Sequence, residues 1–247
     1  MTIKQFNKWL AFLILLAIIL SACRLFSFGT EDTMYWKETA YTIDPDTILD
    51  SLAQGKKDVF TLQTATPEAE LPPASEPVHW SQSDFYRIAQ ALHEYVWNES
   101  VEEWYLPDME FGMDCQGAFD GPQYGRFVFY KFVHIREQES RIEHDIYILH
   151  QENTVRVFET EYYPRLETWQ NIDWAKVKIS VTDALQIAER NGGYEARSNE
   201  NNECKISLAL APGSKYEGWQ VMYTGNNRTR LFDIHINTLT GEYKIIK

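Results

Sequence analysis

Three cysteines, six histidines and 36 acidic side chains are the groups of this 247-residue chain most able to do chemistry. Their spacing narrows what that chemistry is. Cys115 and Cys204 stand outside any C-x-x-C arrangement, which leaves redox catalysis and a thiolate zinc site without support. His144 and His150 share a face of one expected strand, but at ~3.3 Å per residue they lie roughly 20 Å apart and cannot bind one metal directly. His79, His93, His134 and His235 fall on separate expected elements, so each histidine reads as satisfied or solvated, and neither a metal nor another cofactor is implied. There is no phosphate loop, no G-x-S-x-G elbow and no H-E-x-x-H helix. Cys115 as a nucleophile would need a placed histidine and a free thiol. Glu99, Glu102, Glu103, Asp108, Glu110, Asp114 and Asp120 supply carboxylates, but a glycosidase pair has no positional signature, and a solvated face explains them more simply. Asp114-Cys115 and Asp120-Gly121-Pro122 fit a turn before a strand as well as a cation loop. Asp145 and Asp233 each precede an apolar alternation and are candidate binding positions, a shared strand-edge contact being the plainer reading. Trp97, Trp104, Tyr105, Tyr162, Tyr163, Trp169 and Trp174 gather near element ends; they could stack on a ligand or seal an interface between units. Trp169 and Trp174 complete the candidate binding set.

The elements that must position these groups follow from periodicity. Ser81-Gln-Ser-Asp84 and Ser180-Val-Thr-Asp183 each open a helical apolar pattern with a capping signal. In the first, Phe85, Ile88, Ala89, Leu92 and Val96 form the stripe; in the second it is Ala184, Leu185, Ile187 and Ala188, closed by Gly192-Gly193 as a C-cap. Strand signals follow each helix. Gly125-Arg-Phe-Val128 aligns without gaps to Gly218-Trp-Gln-Val221, and His144-Asp145-Ile146 to Phe232-Asp233-Ile234. Met109–Cys115 and Cys204–Leu210 read as the first strands. The expected fold class is α+β, a tandem repeat of a helix packed on a four-stranded antiparallel sheet. The expected boundaries are 79–165 and 166–247 for the two units, with 23–78 as a tether and Pro-rich linker. A short helix over Asp46–Gln54 and a brief strand over Asp58–Leu62 interrupt that tether.

The first 22 residues read as an export signal. Lys4 and Lys8 precede an apolar run from Leu10 to Leu20, about 11 residues against the ~20 a spanning helix needs. Leu20-Ser-Ala-Cys23 resembles the lipobox of bacterial lipoproteins. That resemblance implies cleavage after Ala22, lipid such as palmitate on Cys23, and a location at the outer, extracytoplasmic face of a bacterial cell membrane. More than one acyl chain then gives a lasting anchor. Loss of Lys4 and Lys8 takes the formal net charge from −13 to −15, which argues against a nucleic-acid partner. With Cys23 lipidated, Cys115 and Cys204 form one pair in an oxidising compartment, most simply a disulfide, with free thiols as the competing reading.

Ser180-x-x-Asp183-Ala184-Leu185-x-Ile187-Ala188, then Trp219-x-Val221, then Phe232-x-Ile234-x-Ile236 with Thr240-Gly241-Glu242, resembles a PepSY-type domain over about 65 residues. Asn237 replaces that family's usual aspartate before the last turn. The resemblance implies PepSY- or cystatin-like units and extracytoplasmic binding or regulation of a peptidase or other envelope protein or peptide. It carries no catalytic residues. The expectation is therefore a non-enzymatic, membrane-anchored binding or regulatory lipoprotein. The alternatives are an envelope hydrolase with carboxylates in a cleft between the units, and a passive structural component.

Overall fold

Two serine–aspartate pairs start the two long helices. In the computed structural model, which describes residues 33–56, 58–63, 80–116, 121–135, 138–162, 170–211 and 218–247, β1 is Thr33–Thr42, α1 Ile48–Ala53, β2 Thr61–Leu62 and α2 Gln82–Trp97. At the start of α2 the Asp84 amide donates to Ser81 Oγ (3.3 Å) while the Ser81 amide donates to Asp84 Oδ2 (2.8 Å), a reciprocal cap that satisfies two orphan donors. α2 buries Phe85, Ile88, Ala89, Leu92 and His93, and ends at Asn98 in the left-handed region. α3 (Val181–Ala188) repeats the cap through Ser180 and Asp183. The expected stop at Gly192-Gly193 is a kink instead: the chain passes through Glu189–Gly193 with Gly192 at φ +123° and resumes as α4, Tyr194–Asn199.

The remaining strands are β3 (Tyr105–Asp114), β4 (Tyr124–Ile135), β5 (Gln138–Leu149), β6 (Thr154–Tyr162), β7 (Cys204–Leu210), β8 (Trp219–Gly225), β9 (Arg230–Ile236) and β10 (Tyr243–Ile245). They overturn the expected tandem of separate helix-on-four-strand units. All ten strands form one antiparallel sheet in the order β10-β9-β8-β7-β3-β4-β5-β6-β1-β2. The join is β3 against β7, from Met109↔Leu210 to Asp114↔Lys205. Cys115, the residue after β3, is disulfide-bonded to Cys204, the first residue of β7. A strand edge exposes unpaired amides and carbonyls, and pairing the two first strands removes two such edges. The buried residues of both halves consequently make one apolar cluster.

Register corrects the alignment as well. Phe127 pairs with Ile146 and Val221 with Ile234, so the hairpins correspond Phe127 to Val221, one residue away from the alignment that matched Val128 to Val221. A slip of one residue exchanges the two faces of a strand.

The stretch expected as a tether also belongs to the sheet. β1 pairs along β6 from Thr42↔Thr154 to Thr33↔Tyr162, and β2 pairs with its far side. Tyr41, Ile43, Ile48 and Phe60 are buried, anchored further by the Ile43 amide donating to the Asn153 carbonyl (2.9 Å). The lipobox with Cys23, the proline-rich segment, His79, Asp120, Tyr163 and Trp169 lie outside the described residues.

The described helices cover one face of the sheet. Met109, Phe111, Phe127, Ile146, Ile148, Leu208, Val221 and Ile234 point into that side and are buried. The alternate residues Asp108, Glu110, Tyr124, Arg126, Asp145 and Tyr147 lie on the opposite face, as strand periodicity requires.

Candidate functional site

The start of α2 and the start of α3 converge. The Val181 amide donates across the gap to Gln82 Oε1 (3.3 Å), tying the first turn of one helix to that of the other. Between them lies a groove of about 430 Å³ lined by Trp80, Ser81, Gln82, Ser83, Tyr86, Pro122, Trp174, Val177, Lys178, Ser180, Val181 and Thr182. That volume falls within the usual range for a small-molecule site.

The walls are positioned by the segment that leads into α3. Ile172 is buried, and its amide donates to the Leu106 carbonyl (2.9 Å), while the Leu106 amide donates to Asn171 Oδ1 (2.8 Å). Asp173 then caps the short turn Trp174–Lys176 through the Ala175 amide (3.1 Å). The amides of Lys178 and Ile179 both donate to the Thr238 carbonyl (2.8 Å each), and the buried Trp219 indole donates to the Ile179 carbonyl (2.8 Å). This ties the groove to the β9–β10 connection. The result holds the Trp174 ring, 38% exposed, at 4.8 Å and 48° to the Tyr86 ring. Burial pushes the Tyr86 hydroxyl pKa up, and a hydrogen bond with the Trp174 indole pulls it partly back. Trp80 forms a buried floor, edge-on to Phe85 and His150. His150 Nε2 donates to the Pro122 carbonyl (2.9 Å) and so fixes another wall residue.

Among the described residues the lining holds no carboxylate, histidine or thiol, and Lys178 is the one charged residue among them. General acid–base or nucleophilic chemistry needs such a group within ~3 Å of the reacting atom. The arrangement can bind. It offers an aromatic corner, a belt of short hydroxyl side chains and the first-turn amides of two helices.

A second cluster sits on the opposite face. Arg126 grips Asp145 with Nε and Nη2 (3.0 and 2.8 Å) and reaches Asp108 with Nη1 (3.4 Å). Burial pushes both carboxyls up, and Arg126 pulls both down against it. Tyr124 donates to Glu110 beside them (2.9 Å). The guanidinium occupies the space between the two acids, which suits a structural ion network rather than an acid–base pair.

A third cluster is buried beneath α2. His144 is stacked between Trp97 (3.7 Å, 8°) and Trp104 (4.1 Å, 25°), and its Nδ1 lies 3.0 Å from His93 Nε2. His93 Nδ1 faces the Glu99 carbonyl oxygen at 3.1 Å, so it must donate there. Its Nε2 is then the acceptor for the His144 Nδ1–H. Burial lowers both histidine pKa values, that of His144 to about 2. With both rings under 3% exposed, neither can touch a substrate.

The candidate residues therefore separate. Trp174 lines the groove. Asp145 belongs to the Arg126 network in β5, an interior strand, so it is no strand-edge contact. Asp233 is fully buried, receiving Gln220 Nε2 (3.1 Å) and Arg230 (2.9 Å). Cys115 and Cys204 are bonded to each other, which leaves no thiol nucleophile there. Of the aromatic residues expected to seal an interface between units, Trp97 and Trp104 enclose a histidine instead. Sequence reasoning missed the groove hydroxyls, although the doubled S-x-x-D signal marked the two helix starts that carry them. It also missed the histidine pair, whose sign was a histidine on the apolar stripe of α2 and another alternating with Ile142, Ile146 and Ile148.

Neither the family models nor the curated proteins nor the solved structures match this chain. The likeness to PepSY domains therefore stands only on the residues that carry it. Among the described residues no group of three or more metal-ligating side chains converges, and no helix is long and apolar enough to cross a membrane.

Proposed function

We propose that this chain is a lipid-anchored, extracytoplasmic binding protein without catalytic activity, which takes a ligand of the cell envelope in the groove between the starts of α2 and α3. The observation that carries the binding site is the lining itself: an exposed aromatic corner, several hydroxyls and, among the described residues, no carboxylate, histidine or thiol. The lipobox resemblance at Leu20–Cys23 supports the anchor. The hydrolase reading loses ground because Asp108 and Asp145, partly buried on the open face, are both engaged by Arg126.

Two measurements test the two parts. A photo-crosslinking residue placed at Lys178 should capture an envelope component in intact cells, whereas the same residue at Lys205, on the opposite face, should not. Equal capture at both positions, or none at Lys178, would sink the groove as the site. A Cys23→Ser variant should leave the membrane fraction; unchanged partitioning removes the anchor.

A further inference from the structure

We infer that the groove ligand is an uncharged oligosaccharide, an inference that rests on the groove being the binding site. Charge comes first. Asp84 and Asp183 already answer the cap donors of both helices and set negative charge at each rim, which disfavours an anionic ligand. Lys178 and the positive ends of two helices disfavour a cationic one. Shape comes second. Tyr86 and Trp174 meet at 48° and 4.8 Å, so their rings make an open corner. Such a corner takes a flat, rigid body with an apolar side, as the C–H face of a pyranose presents.

Hydrogen bonding decides between a sugar and a peptide. Thr182 presents a hydroxyl that both donates and accepts, and Ser83, whose proton goes to Ser81 Oγ (2.8 Å), presents one that accepts. The first-turn amides of Ser83 and Thr182 have no acceptor within their helices. Adjacent sugar hydroxyls match this mixture because every one of them also donates and accepts. An extended peptide docks on a strand edge and a helical peptide needs a long apolar channel. The groove lies at helix starts, and none of its described lining residues belongs to either edge strand of the sheet.

The test uses the full-length protein in detergent with three probes: a β-1,4-linked N-acetylglucosamine tetramer, a β-1,4-glucose tetramer and a proline-rich decapeptide. Tryptophan fluorescence and calorimetry follow each titration. At least one of the two saccharides should give a saturable change with heat of binding. Trp174→Ala should weaken it about tenfold, Trp174→Phe should restore part of the loss, and Thr182→Val should weaken it severalfold. Far-ultraviolet circular dichroism checks that each variant folds. Saturable binding of the peptide alone, lost in Trp174→Ala, would overturn the saccharide assignment and leave the groove standing. No binding of any probe, together with no crosslink at position 178, would overturn both.

Discussion

His144 between two indole faces shows how far a single side chain can tie stability to pH. An imidazolium there would gain about 1–2 kcal/mol from Trp97 and Trp104. Burial costs it more, and the direction of the shift is downward for both His144 and His93. The neighbouring charges are Glu99, which accepts from the Trp104 indole, Glu159, which accepts from the Trp97 indole, and Lys131, which pairs with Glu99 and Glu103. None of these carboxylates bonds an imidazole nitrogen directly. The unfolded histidines take up protons below about pH 6.5 and the folded ones do not. Stability is therefore complete above pH 6.5 and falls as pH drops from there toward the folded value, about 2 for His144. At pH 5 His144 should have removed about 2 kcal/mol, and His93 adds a loss in the same direction. Urea unfolding at pH 7.5 and 5.0 measures this, and His144→Phe should shrink the difference. Equal midpoints in the unmodified protein would mean the pair is charged in the fold. Arg126 gives a prediction of opposite direction. Arg126→Met leaves Asp108 and Asp145 half-buried without their cation and should cost about 3 kcal/mol at pH 7. That cost should diminish as pH falls, because burial raises both carboxyl pKa values and protonation removes the unpaired charges; a pH-independent loss would point to packing alone.

At the scale of elements, the kink after α3 carries most of the constraint. Gly193 has helical dihedrals, yet a Cβ there would stand 2.5 Å from the Tyr223 hydroxyl. Tyr223 donates to Glu189 Oε1 (2.7 Å), and Glu189 pairs with Arg197, both only 9% exposed. Gly193→Ala must push this network apart and should cost about 2 kcal/mol, read as a lower unfolding midpoint with an unchanged denaturant slope. An unaffected midpoint would show that Tyr223 can move freely. Reading Gly192-Gly193 as a helix stop was reasonable, because glycine at positive φ is the commonest C-cap. Only the packing of Phe232 and Tyr223 against the two glycines shows why the chain turns and resumes. The same limit explains β1. Its residues Trp36-Lys-Glu-Thr-Ala-Tyr41 have no clean alternation because β1 lies near the sheet margin, where Trp36, Lys37 and Glu38 are exposed in succession. Its identity as a strand comes from the open edge of β6 rather than from its own pattern.

Across the whole molecule, the β3–β7 junction joins β3–β6 and β7–β10 into one sheet. The disulfide locks that junction and spans 89 residues of chain. Replacing Cys115 and Cys204 by serine should lower stability by about 5 kcal/mol at most. Thermal and urea unfolding should still show one transition, since the halves share a core. Two separated transitions would mean that the halves fold apart. The amino-acid order determined by itself where the helices begin, because a serine and an aspartate three residues apart can cap only locally. It determined which strands alternate, since alternation depends only on neighbours in sequence. Tertiary structure alone decided that the two first strands are partners, that β4 and β8 correspond with a one-residue offset, that His93 meets His144, and that two helix starts enclose a groove with Trp174 at its wall. Periodicity reports which face of an element is buried. It carries no information about which other element covers that face, and every one of these pairings is of that second kind.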